Sequence, residues 1–375
     1  MINQKRVLNE FFELVKIKCS TRAEREVADI LKARLAELNV DVYEDNTGGK
    51  IDGNCGNIIA YLQGTVTGAP AVLLSAHMDC VEPCAGVEPQ LNDGVITSAG
   101  DTVLGADDKS GIAAILEALR VIRENDIPHG DIQVVFTVAE EGGLNGSKNI
   151  DKSLLKADLG YVLDAGGAPG SIVIMAPGQD QIDVVVYGKK AHAGVAPEEG
   201  INAIVVAGKA LAVLKQGRID EETTANVGII TGGHATNIVP DKVELACEAR
   251  SRDLNKLAEQ TRHMKETFEQ VAAANGGRAE VTIARAYNPF VLTKDMAVIS
   301  LAVKAAENAG LKPALEGTGG GSDANFFNNY GIASAVLGTG MSKVHTTDEF
   351  IKEEHLYQTA ELAVSLIKEA AQMKK

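Results

Sequence analysis

The hydrophobic positions follow two rhythms. Near the N-terminus, Val7, Leu8, Phe11, Phe12 and Val15 recur at helical spacing, as do Val27, Ile30, Leu31, Leu35 and Leu38. These stripes predict two helices, with Thr21 and Glu24 as a capping box ahead of the second. Continuous apolar runs then alternate with amphipathic segments. AVLLSA (71–76), IQVVFTVA (132–139), LGYVLD (159–164) and IASAVLG (332–338) read as buried strands. Segments 110–124, 293–310 and 353–373 read as helices. Buried runs alternating with helices predict an α/β fold with a largely parallel sheet.

Between about 178 and 291 the rhythm changes. Strand-like runs at 182–188, 226–232, 242–250 and 280–286 are separated by helical patterns at 201–214 and 254–274. The order β-α-β-β-α-β predicts a ferredoxin-like domain inserted into the first. The expected division is residues 1–177 with 292–375, and 178–291.

Charge removes several partners. Thirty-six Lys and Arg stand against 51 Asp and Glu, a formal net charge of -15. Nucleic acid and anionic membrane surfaces both select for excess cations, so neither is an expected partner. No apolar run approaches about 18 residues, and charges interrupt the first apolar stretch. A cytoplasmic protein without a spanning helix is expected. The 5 cysteines are odd in number and make no disulfide framework. Cys80 and Cys84 lack a second pair and read as free thiols.

The chemistry lies just past the strands. AVLLSA runs into His77-Met78-Asp79, IQVVFTVA into Glu140-Glu141, LGYVL into Asp164, and IASAVLG leads through a short loop to His345. The loop TVLGA delivers Asp107-Asp108 to a helix start. In open α/β sheets the carboxyl ends of the strands are where sites are built. Each residue also has a plainer role as a turn, a solvated pair or a helix cap. Together they form a nitrogen and oxygen donor set suited to zinc, cobalt or manganese. The set exceeds one tetrahedral ion and fits two, about 3.5–4 Å apart, with one carboxylate bridging. Asp79, two residues past His77, is placed to accept the second imidazole N–H. Glu140 and Glu141, if on a strand, point to opposite faces, so one can bind metal while the other serves as a base.

SAHMDCVEP, LGADDKSG, TVAEEGGLNGS, LDAGG, GKKAHAG, ATNIVPDKVELACEARSRD, GGGSDANFF and VHTTDEF occur in that order over nearly the whole chain. This series resembles the metallopeptidase family M20, and within it the peptidase T-like, aminotripeptidase branch. The resemblance implies two zinc ions per subunit, with cobalt or manganese as substitutes. It places His77, Asp107 and Asp164 on one ion and Glu141 and His345 on the other, with Asp107 bridging. It makes Glu140 the general base and Asp79 the residue that orients His77, and it implies a cis peptide at Asp107–Asp108. The inserted domain becomes a lid and homodimerisation domain. Its His192 would stabilise the oxyanion, and Asn237 and Arg250 would bind substrate.

GTGGGSD (317–323) is neither a P-loop nor a dinucleotide fingerprint. Its closely spaced glycines allow a run of backbone N–H groups to face an anion. Gly319 and Gly320 are expected to line the cleft beside His345. His234, near Asn237, is a further candidate contact.

The expected function is metal-assisted hydrolysis of short peptides, with release of the N-terminal residue from tripeptides. An N-acyl-amino-acid deacylase or a dipeptidase would use the same centre. A non-catalytic metal-binding scaffold is the alternative from another class, and the intact ligand set with Glu140 argues against it.

Overall fold

The computed structural model describes residues 1–374. Two compact units emerge. The first comprises Met1–Ile174, Leu292–Gly317 and Ser322–Lys375, and the second Met175–Val291 with Thr318–Gly321.

In the first unit a large sheet runs, from one edge, through Asp41–Glu44, Ile58–Leu62, Ile132–Thr137, Val72–His77, Leu159–Ala165, Ala333–Gly338 and Ser171–Ala176. Four central neighbours, Ile132–Thr137, Val72–His77, Leu159–Ala165 and Ala333–Gly338, are parallel. The strands outside them are antiparallel. The sheet is therefore mixed rather than largely parallel. The connection at residues 166–170 is too short for a crossover, so Ser171–Ala176 must reverse direction. Both central strands Val72–His77 and Ile132–Thr137 are buried at every position, as their unalternated apolar runs require.

Helix Ala106–Glu124 packs on Val72–His77 and Leu159–Ala165 and is itself covered by Gln4–Val15 and Glu353–Ala370. It is buried without a break from Ala106 to Leu119. Burial this complete forces Glu117, the acidic residue of this stretch beyond the first turn, to find a cation: it is held by Arg6 at 2.6 Å. A small antiparallel sheet of Glu88–Asn92, Val95–Ala99 and Phe350–Lys352 is also present. Glu88–Asn92 is mostly solvated and polar, so no apolar run announces it.

The expected capping box does not form. The second helix, Arg25–Glu37, begins after Glu24 without a side-chain cap. Thr21 instead donates to Asp79 at 2.8 Å, and Glu24 accepts from the backbone of Arg22 and Ala139. Both side chains serve the buried strand ends, where unpaired N–H groups cost more than at a solvated helix start.

The second unit is an antiparallel sheet ordered Gly217–Arg218, Thr223–Gly232, Lys242–Ser251, Gly178–Tyr187 and Arg278–Tyr287. With the two-residue strand set aside, its chain order is β-α-β-β-α-β. Ala203–Val213 and Leu254–Ala274 supply the helices. Ile182, Val184, Val186, Leu245, Met264 and Phe268 form its core. The unit starts slightly earlier than expected and takes in Thr318–Gly321. The physical reason is local: Thr318 N–H donates to the Met175 carbonyl, and a side chain on Gly321 would run into the Tyr287 ring. Gly319 and Gly320 therefore belong with the second unit rather than with the segment that carries His345.

Among the described residues, no helix is long and apolar enough to cross a membrane. All five cysteines are buried and unpaired.

Candidate metal centre

The four parallel strands end on one edge of the sheet, and that edge gathers the donors. His77 is the last residue of its strand, and Asp164 the penultimate residue of the next. Asp107 arrives on the turn into Ala106–Glu124, where the backbone leaves helical angles and the Asp107–Asp108 peptide is cis. His345 arrives on a loop in a left-handed conformation, anchored by the pairing of Ser342 with Phe350.

Two donor groups result. His77, Asp107 and Asp164 have ligand atoms within 4.8 Å of one another, and so do Asp107, Glu141 and His345. Asp107 belongs to both. Its Oδ1 lies 2.9 Å from His77 Nε2 and its Oδ2 3.2 Å from His345 Nε2. His77 Nε2 is 3.7 Å from Asp164 Oδ1, and His345 Nε2 is 3.0 Å from Glu141 Oε1.

These contacts fit cations better than they fit each other. His77 Nδ1 lies 3.0 Å from the Asp79 carbonyl, which can only accept, so Nδ1 carries the proton. In a neutral ring Nε2 is then a lone pair, yet it faces carboxylate oxygens. Glu141 Oε1 is buried and makes no hydrogen bond, despite its short distance to His345. Imidazole and carboxylate lone pairs aimed at common points are what a metal ion requires. Proton affinities agree. Burial, only partly offset by His77, pushes the Glu140 and Asp164 carboxyls well above the usual range. The carboxylates beside His345, Asp107 first and then Glu141, push its ring up to about 10. Burial also acts to raise Asp107, but its bonds to His345 and His77 hold it low. The cluster is short of positive charge.

Two expectations change in detail. Asp79 orients His77 through its backbone carbonyl at 3.0 Å, with Oδ1 more distant at 3.4 Å. Its carboxylate instead accepts from Glu140 N at 2.9 Å, Glu141 N at 3.2 Å and Thr21 Oγ1. Burial would raise this carboxyl, but His77 and those donors hold it low and ionised. Glu140 and Glu141 are also not on a strand. Ile132–Thr137 has ended, and Ala139 is left-handed, so the chain turns at once. Instead of diverging, their carboxylates come within 4.8 Å of each other and of His77.

Other buried acids surround the centre; Asp108 takes the helix-cap role its position allowed, while Glu349 and Asp323 escaped sequence reading. Glu349 accepts from Gly105 N at 2.7 Å and Asp107 N at 3.0 Å, tying the His345 loop to the Asp107 turn. Asp108 accepts from His77 N and from Gly111 N, the latter as a helix cap. Asp323 accepts from Thr137 and Ser147. Only the acidic pair Asp348-Glu349 hinted at Glu349.

The remaining candidates lie in the second unit. His192 is exposed, and its Nδ1 accepts from Gly194 N at 3.2 Å. Its segment pairs with the Asn237 segment: Ala193 N donates to Asn237 O, and Val239 N to Ala191 O. His192 and Asn237 are thus neighbours, with His234 nearby in sequence. Asp253 caps helix Leu254–Ala274, close in sequence to Arg250. Arg250 pairs with Glu248 through two contacts of 3.0 Å.

An α/β unit with a mixed sheet, gathering imidazoles and carboxylates around a shared aspartate, defines a metal-centred hydrolase. The family described as peptidase family M20/M25/M40 matches residues 73–369, and the chain belongs to it. It is a metallopeptidase of that family. Among solved structures, an aminopeptidase PepT from Bacillus cereus is 44% identical with a TM-score of 0.91, over 99% of each chain. A tripeptidase from Staphylococcus aureus is 43% identical with a TM-score of 0.96, over 100% of each. A Bacillus subtilis protein of uncharacterised function, YqjE, is 44% identical over 371 residues, 99% of this chain and 100% of its own.

The buried ring around the centre carries its own pH dependence. Burial, reinforced by Asp79, pushes Glu24 from its ordinary 4.5 up to about 7. The folded state therefore holds this proton more tightly than the unfolded chain. The stabilisation is complete below 4.5 and is lost as pH rises through 7. Glu24→Gln is expected to flatten that fall by an amount on the order of 3 kcal/mol. Urea unfolding of both proteins across this range measures it, and equal slopes would count against the assignment.

Proposed function

We propose that this chain is a two-metal aminopeptidase that releases the N-terminal residue of tripeptides. The observation that carries the reading is Asp107, which offers one carboxylate oxygen to each of two imidazoles. That arrangement supports one cation held by His77, Asp107 and Asp164, and a second held by Asp107, Glu141 and His345. Zinc suits the donors, with cobalt or manganese able to replace it. The aminopeptidase and tripeptidase names of its similar structures support the substrate class.

When bound, the two cations would supply Lewis acidity to the scissile carbonyl and lower the pKa of the attacking water. The chain's own residues do the rest. Glu140 takes a proton from the attacking water and returns it to the leaving amine. Asp79 keeps Glu140 aimed by holding its backbone N–H. His192, whose Nδ1 is an acceptor from Gly194, has Nε2–H to donate to the developing oxyanion. Asn237 and Arg250 are assigned to substrate binding, and Gly319 and Gly320 to backbone contacts with it. The second unit serves as lid and homodimerisation unit. In its support, Ile229 and Ile230 are exposed on Thr223–Gly232, where Gly217–Arg218 covers only the Thr224–Ala225 end. Five free thiols suit a reducing, cytoplasmic setting.

Three measurements test the proposal. The first offers zinc-loaded protein a free tripeptide, its N-acetylated form and an N-acetyl amino acid, with products identified by mass spectrometry. Loss of the first residue from the free tripeptide alone is expected. Cleavage only of the acyl amides would replace the aminopeptidase with a deacylase. In the second, Glu140→Ala is expected to keep its zinc while turnover falls by about 10²–10⁴-fold, and full turnover would remove Glu140 as the base. In the third, Asp107→Ala is expected to lose metal at both positions. Two equivalents by elemental analysis would contradict a bridging role.

A further inference from the structure

The segment between Val138 and Gly146 carries Glu140 and Glu141, and its two ends are held together. Thr137 precedes it and Ser147 follows it. Both hydroxyls donate to one buried carboxylate, Asp323, each at 2.5 Å. Thr137 Oγ1 binds Oδ2 and Ser147 Oγ binds Oδ1, so each oxygen takes one stem of the loop. Asn57 repeats the pattern one residue inward. Its Oδ1 accepts from Val138 N at 3.0 Å, and its Nδ2 donates to Gly146 O at 3.1 Å. Between these clamps the backbones touch: a Cβ on Gly146 would sit 2.3 Å from the Val138 carbonyl. At the tip, Glu140 N and Glu141 N both end on Asp79.

This loop is therefore closed at its base by Asp323 and Asn57 and fixed at its tip by Asp79. Asp323 begins helix Asp323–Asn329 and is 1% exposed. A buried carboxylate is costly unless donors satisfy it, and two hydroxyl donors at this distance are charge-assisted bonds. Both come from the ends of one loop. A purely structural acid could have drawn its donors from anywhere in the core.

We propose that Asp323 is a positioning residue of the reaction: by clamping Thr137 to Ser147 it sets where Glu140 and Glu141 reach into the metal centre. It touches neither substrate nor metal, and acts through the loop. The inference rests on the roles given above to Glu140 and Glu141.

The test compares Asp323→Ala, Asp323→Asn and the near-isosteric Thr137→Val. Gln133→Ala serves as a control for lost stability. Gln133 is also buried and bonded, to Leu154 and Lys156, but at the far end of the same strand. Each protein is assayed for zinc equivalents, for zinc affinity against a chelating dye, and for kcat and KM on a tripeptide. Asp323→Ala is expected to weaken zinc by about 10–100-fold, the usual effect of losing a group that orients a ligand. Its kcat is expected to fall by a similar factor, with KM within about twofold. Thr137→Val, which opens one stem and leaves the other, should fall between wild type and Asp323→Ala. Asparagine can accept from one hydroxyl and donate to the other, so Asp323→Asn should recover most of both losses. Gln133→Ala should lower the melting temperature and leave zinc and kcat unchanged.

Wild-type zinc affinity and kcat in both Asp323→Ala and Thr137→Val would overturn the proposal. So would Asp323→Asn as impaired as Asp323→Ala, because the charge rather than the clamp would then matter. If wild type binds zinc but leaves tripeptides intact, the substrate reading fails, and the zinc affinities alone still decide the role of Asp323.

Discussion

The structure is organised around the problem of burying negative charge. Asp79, Asp107, Asp108, Glu140, Asp323 and Glu349 are all buried at or near the carboxyl edge of four parallel strands. His77 and Lys109 are the buried groups there able to carry positive charge. Burying an unpaired carboxylate costs several kcal/mol, so the set is tenable only with donors and cations. The chain supplies donors from its backbone: Glu140 and Glu141 N to Asp79, His77 and Gly111 N to Asp108, Gly105 and Asp107 N to Glu349. The oxygens left without such donors, above all Glu141 Oε1, belong to the residues grouped around Asp107.

This distinction separates structural acids from acids available for chemistry. Asp79, Asp108 and Glu349 have their lone pairs filled by the protein itself. Asp107, Asp164, Glu140 and Glu141 turn their oxygens toward one another and toward imidazoles. The first group also links separate segments. Thr21 comes from ahead of the second helix, Asp79 from past one strand, Glu140 from past another, and Glu349 joins the His345 loop to the Asp107 turn. Five chain segments are thereby brought to one place by bonds that are buried or partly buried.

Much of this could be read in the chain. An unalternated apolar run means a strand covered on both faces, so the core strands and their ends were legible within a residue or two. A polar residue at the end of such a run must lie at the sheet edge, and this is how His77, Asp164 and the Glu140–Glu141 pair were found. The long helix Leu254–Ala274 was legible to the residue, because its apolar period has one reading. Less could be read where partners are distant. Thr21 and Glu24 satisfied a local helix-start pattern, yet each bonds across the molecule, because donors and acceptors at the buried strand ends needed them more.

The sequence by itself determined the alternation of buried strands and helices, the order of elements in the second unit, and the residue types delivered to the sheet edge. These depend on periodicity and on neighbours along the chain. Only the tertiary structure decided which acids are filled and which remain open. It decided that the outer strands run antiparallel, that adjacent Glu140 and Glu141 converge, and that Asp323 meets both Thr137 and Ser147. Each of these depends on partners far apart in sequence, and a hydrogen bond's direction exists only once both partners have been placed.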